Sequence, residues 1–153
     1  MSTPDFIYTI YIRTTPEKVW AAITNPEFRR QYWVDDISSD WKKGSEWQHK
    51  SQDQICTAGK VLESVPPTLL VITWVDPSLP DDGSRVTFEI KAFEDMVRLN
   101  VVHGDFKPGS IVAKRISEGW PRVLSSLKTL LESGRALNTW AGFEPSCGPR
   151  SYS

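Results

Sequence analysis

Between Ser84 and His103 the chain changes character at every second residue. In "SRVTFEIKAFE", Val86, Phe88, Ile90 and Ala92 alternate with Arg85, Thr87, Glu89 and Lys91; in "MVRLNVVH", Val97, Leu99 and Val101 alternate with Arg98 and Asn100. A period of two puts each set on its own face of a strand, so the pair predicts a hairpin with one dry and one wet face. A dry face has to be covered. Just downstream, from about Ser110 to Ser133, Ile116, Trp120, Val123, Leu124, Leu127, Leu130 and Leu131 recur at three- and four-residue spacing. That is one stripe of a helix about 36 Å long, with Ser110 available as its cap and Gly134 as its stop. A one-sided sheet followed by a long amphipathic helix has one compact solution, in which a curved antiparallel sheet wraps the helix.

The rest of the chain fits that plan. "FIYTIYIR" (Phe6–Arg13) is β-branched and aromatic and reads as a first strand. Thr15-Pro16 and Asn25-Pro26 are then two helix starts in succession, each a capping oxygen followed by a proline at the first helical position, so two short helices are expected between the first and second strands. From Val34 to His103 further strands follow: "SEWQHKS" after the Lys43-Gly44 turn, "ICTAGKVLESV" ending at Pro66-Pro67, and "TLLVITWV", whose near-continuous apolar run predicts a central position. The fold class is α+β, with one domain over residues 1–134. The tail, 135–153, is rich in Gly, Pro and Ser and is expected to be only partly ordered, docking where Trp140 or Phe143 finds a surface.

Composition narrows the function classes. With 18 basic against 19 acidic residues and a net charge of −1, no Lys/Arg stripe stands out, and nucleic acid is not an expected partner. No apolar run approaches the roughly 20 residues that span a bilayer, and the N-terminus lacks a basic stretch followed by an apolar one; no membrane partner is expected, and the cytoplasm is the expected compartment. The two cysteines, Cys56 and Cys147, lack metal-ligand or redox spacing and are expected as unpaired thiols. No metal and no cofactor is expected.

Gly119-Trp120-Pro121 interrupts the long helix. Proline removes the N–H that would bond to the Ser117 carbonyl, and its ring opens that turn. The expectation is a bend that swings the upstream half of the helix away from the sheet, leaving a hollow; a purely local packing role is the alternative.

Taken together, "YTIYIRTTPEKVWAAITNPEFRRQYW", the Gly44 turn, Gly59 with "VLESVPPTLL", and "GWPRVLSSLKTLLESG" resemble the family of homologues of the activator of the ninety-kilodalton heat-shock chaperone's ATPase, within the START-like (SRPBCC, helix-grip) superfamily. The likeness covers Phe6 to Gly134. It implies a cavity between sheet and C-terminal helix that, across the superfamily, takes lipids, sterols, polyketides or aromatic compounds. It also implies a role in the stress response with a chaperone as a second kind of partner. A homodimer through the sheet or tail is compatible with the sequence.

Seven tryptophans supply large apolar surface with one N–H each. Core packing accounts for most of them, but Trp120 at the proline, and Tyr32 and Trp33 after the second short helix, are expected at the wall or mouth of a cavity, with Phe88 and Leu99 from the dry sheet face and Leu124 from the helix. His103, at a strand end, is the one candidate for a general base, against the plainer reading of a partly exposed strand-end histidine; His49 looks more ordinary still. Asp35-Asp36 and Asp81-Asp82 read as exposed turn residues. There is no Gly-x-Ser-x-Gly elbow, phosphate-cradling glycine loop or Cys–His dyad. The expected function is therefore binding of a small hydrophobic molecule, lipid-like or aromatic. The alternatives are a co-chaperone-like interaction protein and, by fold analogy alone, a cyclase- or hydrolase-type enzyme.

Overall fold

The computed structural model describes residues 3–33, 36–51 and 53–139. Ten elements follow in the expected order: β1 (Phe6–Ile12), α1 (Pro16–Thr24), α2 (Pro26–Arg29), β2 (Asp36–Ser39), β3 (Glu46–Ser51), β4 (Gln54–Val65), β5 (Leu69–Trp74), β6 (Ser84–Phe93), β7 (Met96–Gly104) and α3 (Ile111–Ser133). The seven strands form one antiparallel sheet in the order β1-β7-β6-β5-β4-β3-β2, which leaves β5 central. This is the curved-sheet, long-helix architecture of the helix-grip fold. Among the described residues no helix is long and apolar enough to cross a membrane.

Register explains the dry face. Pairing of β6 with β7 sets Val86 opposite His103, Phe88 opposite Val101 and Ile90 opposite Leu99. Pairing of β5 with β6 continues these rows through Ile72 and Leu70. All of these side chains are buried. Ala92, expected on the same face, is exposed, because the hairpin runs past the covered part of the sheet toward its Glu94-Asp95 turn. Gly59, opposite Trp47, cannot carry a side chain, since a Cβ there would collide with the Thr73 carbonyl. That same carbonyl accepts the Trp47 indole N–H at 2.8 Å.

Both short helices start as expected. The Thr15 hydroxyl accepts the Lys18 N–H at 3.3 Å, and the Asn25 side-chain oxygen accepts those of Glu27 and Phe28 at 2.9 and 3.2 Å. The start of α3 is held more firmly than by Ser110 alone. Ser110 Oγ accepts the Ala113 N–H at 3.1 Å and donates to Asp82 at 2.6 Å, while the other oxygen of Asp82 accepts the Ile111 and Val112 N–H groups, each at 2.9 Å. Asp82 is thus not an exposed turn residue; it is 3% exposed and caps a helix from the β5–β6 loop. Burial pushes its carboxyl upward, but the bonds from Ser110, Val112 and Ile111 prevail and hold it below the usual carboxylate range.

The upstream half of α3 corrects another expectation. Helix α3 runs continuously through Pro121, and its upstream half does not leave the sheet: Val112, Ile116 and Trp120 are all buried. The carbonyl that Pro121 leaves without a helical partner belongs to Ser117, an exposed residue, where water can serve it. Gly134 ends the helix with φ 83°, as expected of a residue without a side chain. The first tail residues fold back along α3, with Thr139 and Arg122 exchanging hydrogen bonds at 2.8 and 2.9 Å; Trp140, Phe143 and Cys147 lie outside the described residues. Cys56 corrects a second expectation, since it is disulfide-bonded rather than an unpaired thiol.

Removing the Asp82 carboxylate leaves three donors without their acceptor at a buried helix start. Asp82→Ala is expected to cost about 2 kcal/mol of stability by urea denaturation; a loss under about 0.5 kcal/mol would show that the clamp contributes little.

Candidate functional site

The break between α1 and α2 creates the site. A proline at position 26 has no N–H to offer the carbonyl of Ala22, and the chain turns away before the carbonyls of Ile23 and Thr24 find helical partners. Three side chains from further along serve them instead: the Tyr32 hydroxyl donates to Ala22 at 2.6 Å, Arg29 Nη1 to Ile23 at 3.0 Å, and the Trp41 indole to Thr24 at 2.9 Å. The polar ends of Tyr32 and Arg29 are thereby fixed to α1, and the segment carrying them, with Trp33, is laid over the dry sheet face.

All six residues singled out in the sequence (Tyr32, Trp33, Phe88, Leu99, Trp120 and Leu124) border one pocket between α2, the sheet and α3. Ile23, Arg29, Val123 and Leu127 complete its wall. Among the described residues, however, this pocket leaves almost none of the expected hollow open. The cavity measures about 10 Å³, at the threshold for one water molecule. Aromatic rings occupy the space instead. Trp33 meets Trp120 edge-on at 5.7 Å, Phe88 meets Trp120 at 5.8 Å, and Trp74 meets Trp120 at 5.9 Å, separations typical of favourable aromatic pairs.

His103 is the second correction. Far from being a partly exposed strand-end residue, it is 0% exposed, because it follows Val97, Leu99 and Val101 on the dry face. Its Nδ1 accepts the Trp120 indole N–H at 3.0 Å. An indole nitrogen only donates, so Nδ1 carries no proton, and Nε2 donates to Ser84 Oγ at 2.7 Å. Burial lowers its pKa to about 3. Neutral at physiological pH and engaged at both nitrogens, His103 positions Trp120 and does not border the pocket. His49 is buried as well, with Nδ1 3.3 Å from the Thr57 hydroxyl and its ring edge-on to Trp33 at 5.3 Å.

Arg29 escaped the sequence reading. Its guanidinium carbon lies 3.9 Å from the centre of the Trp33 ring, and the residue is 3% exposed, whereas the adjacent Arg30 is exposed and pairs with Asp36 at 2.6 Å. The four-residue spacing of Arg29 and Trp33, closed by the Trp33 N–H on the Arg29 carbonyl at 2.9 Å, was the only signal separating the two arginines. Tyr32 is pushed up to about 12 by burial, against the opposing charge of Arg29, so it stays a neutral phenol. Among the described residues no cluster of metal-ligating side chains occurs. As built, the site is filled by the protein's own rings; among the described residues its lining includes no carboxylate, thiol or imidazole.

Comparison with known proteins decides the family. A family described as activator of Hsp90 ATPase homolog 1-like proteins matches residues 13–132. The chain belongs to it. Similar folds include the solution structure of the Aha1 dimer from Colwellia psychrerythraea, 21% identical with a TM-score of 0.74 over 88% of this chain and 100% of that one. Another is PFC0360w, an HSP90 activator from Plasmodium falciparum, 21% identical with a TM-score of 0.72 over 83% and 95%. A third is CalU16 from Micromonospora echinospora, 21% identical with a TM-score of 0.70 over 85% and 77%. No protein of curated function matches the sequence.

Burying a neutral His103 makes stability pH-dependent. Between about pH 3 and 6.5 the unfolded chain binds a proton there that the folded chain does not, so stability rises with pH across that window, by up to about 1.4 kcal/mol per unit from this group, and is lost on acidification. His103→Gln should flatten the profile in that range; an unchanged slope would place the titrating group elsewhere.

Proposed function

We propose that this family member binds a small, largely apolar molecule between the sheet and α3, and that the described structure is the closed, self-filled form. The observation that carries this reading is the convergence of Trp33, Trp120, Phe88, Leu99 and Leu124 on one pocket beside a buried arginine. Trp120 is anchored by His103, and Tyr32 by the α1 carbonyl. Trp33 sits at the end of the segment after α2, held through ring contacts with Arg29, His49 and Trp120. It is the wall that moves. An apolar guest in its place would restore the buried area at about 25 cal/mol per Å². Catalysis gains no support, since His103, its one candidate, is committed to Trp120 and Ser84.

A second reading, contact with a heat-shock ATPase, draws support from the family description and from the HSP90 activator of like fold. A surface suited to it is the outer face at the β1 end of the sheet, where Ile7, Tyr11 and Phe93 are exposed and the last two rings meet at 5.8 Å. The same patch would suit a homodimer, the state in which the Colwellia Aha1 was solved.

Thermal unfolding against a panel of aromatic and medium-chain aliphatic compounds, neutral and anionic, separates these readings. At a hundredfold excess over Kd a pocket ligand should raise Tm by about 5–10 °C, and Leu124→Phe, which overfills the pocket, should abolish the rise. If no compound moves Tm while the protein changes the ATP turnover of a heat-shock chaperone, the pocket is merely core and the second reading stands.

A further inference from the structure

Strand β1 is an edge of the sheet, and half of its backbone faces away from β7. The Tyr11 carbonyl accepts Lys128 Nζ at 2.7 Å, and the Arg13 N–H donates to Glu132 at 2.9 Å, both partners belonging to α3. Backbone direction alternates along a strand, so the N–H and C=O groups of Ile7 and Thr9 point outward as well. Among the described residues no strand lies beyond them. An open edge of this kind is a template for another strand. It also carries apolar side chains on both faces. Ile7 and Tyr11 are exposed on the outer face, the latter against Phe93 at 5.8 Å, while Phe6, Tyr8 and Ile10 on the other face are only partly buried. Beside the Arg13 end lies an open groove of about 450 Å³, bordered by Tyr11, Arg13, Met96, Lys128 and Glu132.

The residues of the edge say which strand fits it. Asp5 and Arg13 lie four places to either side of Thr9, and Ile7 and Tyr11 lie two places to either side, so "DFIYTIYIR" is complementary to itself when read antiparallel. We propose that β1 pairs antiparallel with β1 of a second copy of this chain, centred on Thr9, and joins the two sheets into one. Ile7 then faces the partner's Tyr11, Thr9 faces the partner's Thr9, and Asp5 faces the partner's Arg13. On the other face Tyr8 meets the partner's Ile10. Each unlike pair occurs twice, as a two-fold axis requires, and aromatic–β-branched and opposite-charge pairs are the cross-strand contacts that stabilise a sheet. Lys128 does not have to leave, because a carbonyl oxygen accepts two hydrogen bonds. Arg13 gives up only its exposed pair with Asp95 at 3.5 Å, which is worth little in water. The partner's Asp5 brings a carboxylate to the groove that holds Arg13 and Lys128. This gives the homodimer considered above its surface and register, and it does not depend on the pocket reading.

Sedimentation of the full chain from micromolar to millimolar concentration should show a reversible rise from 17.4 kDa to twice that mass. Arg13→Asp and Asp5→Arg each set like charges opposite one another, and each should weaken self-association about tenfold or more. Mixing the two variants restores both opposite-charge pairs, so a heterodimer should form with an affinity close to that of the wild-type dimer. Thr9→Pro, which removes only an outward N–H, should also leave a folded monomer. A wild-type chain that stays monomeric to millimolar concentration overturns the proposal and leaves the edge to a different partner. A wild-type dimer that withstands the single substitutions, or a mixture that fails to recover, puts the interface elsewhere and overturns it as well. Should a variant fail to fold, hydrogen exchange in the wild-type protein decides: the Thr9 amide should be protected in the dimer and open in the monomer, and equal exchange in both would sink the pairing.

Discussion

A buried indole N–H must find an acceptor, and for Trp120 that acceptor is Nδ1 of His103. Around this single bond the two layers are fastened together. It fixes the His103 tautomer, passes the remaining proton to Ser84 on β6, and ties the middle of α3 to β7 at the very turn where Pro121 weakens the helix. With Trp120 so oriented, Trp33, Trp74 and Phe88 meet it at edge-on or tilted angles. The space between sheet and helix is then occupied by the protein itself.

A second constraint acts at the other wall. Because Pro26 cannot continue α1, the last carbonyls of that helix recruit Tyr32, Arg29 and Trp41. A local defect in one helix therefore positions residues up to 17 places downstream. It also explains why a cation is brought beside an apolar pocket: Arg29 satisfies Ile23 on one side and Trp33 on the other. On the proposed reading the two walls differ in kind. Trp120 is held by a hydrogen bond inside the core, whereas Trp33 is held by ring contacts and can exchange them for a guest.

Much of this was legible in the sequence because it depends on short-range pattern. Alternation from Val86 to Ile90 and from Val97 to Val101, the Thr15-Pro16 and Asn25-Pro26 starts, and the stripe of α3 are local rules, and the structure follows them. The six pocket residues were readable because sheet face and helix stripe must meet. What failed depended on contacts distant in sequence. The start of α3 is held by Asp82, 28 positions before Ser110, and its upstream half stays buried. The engagement of His103 at both nitrogens comes from Trp120 and Ser84, 17 and 19 residues away on other elements. Ala92 keeps the alternation but lies where nothing covers it. Arg29 and Arg30 are chemically identical neighbours, and only the packing of α2 separates them. The hollow failed for a related reason: periodicity says which side chains face inward, not how much space they leave.

The claim most exposed to test is that Trp33 gives way while Trp120 and Trp47 hold. Assigned ¹H–¹⁵N spectra resolve the indole N–H of each tryptophan, and these can be followed while a binding apolar compound is added to the wild-type protein. The account predicts a large displacement of the Trp33 signal and loss of its ring contacts with Trp120 and His49, with the Trp47 indole, bonded to Thr73, unmoved. A saturated complex in which the Trp33 signal and its contacts stay as they were would contradict it.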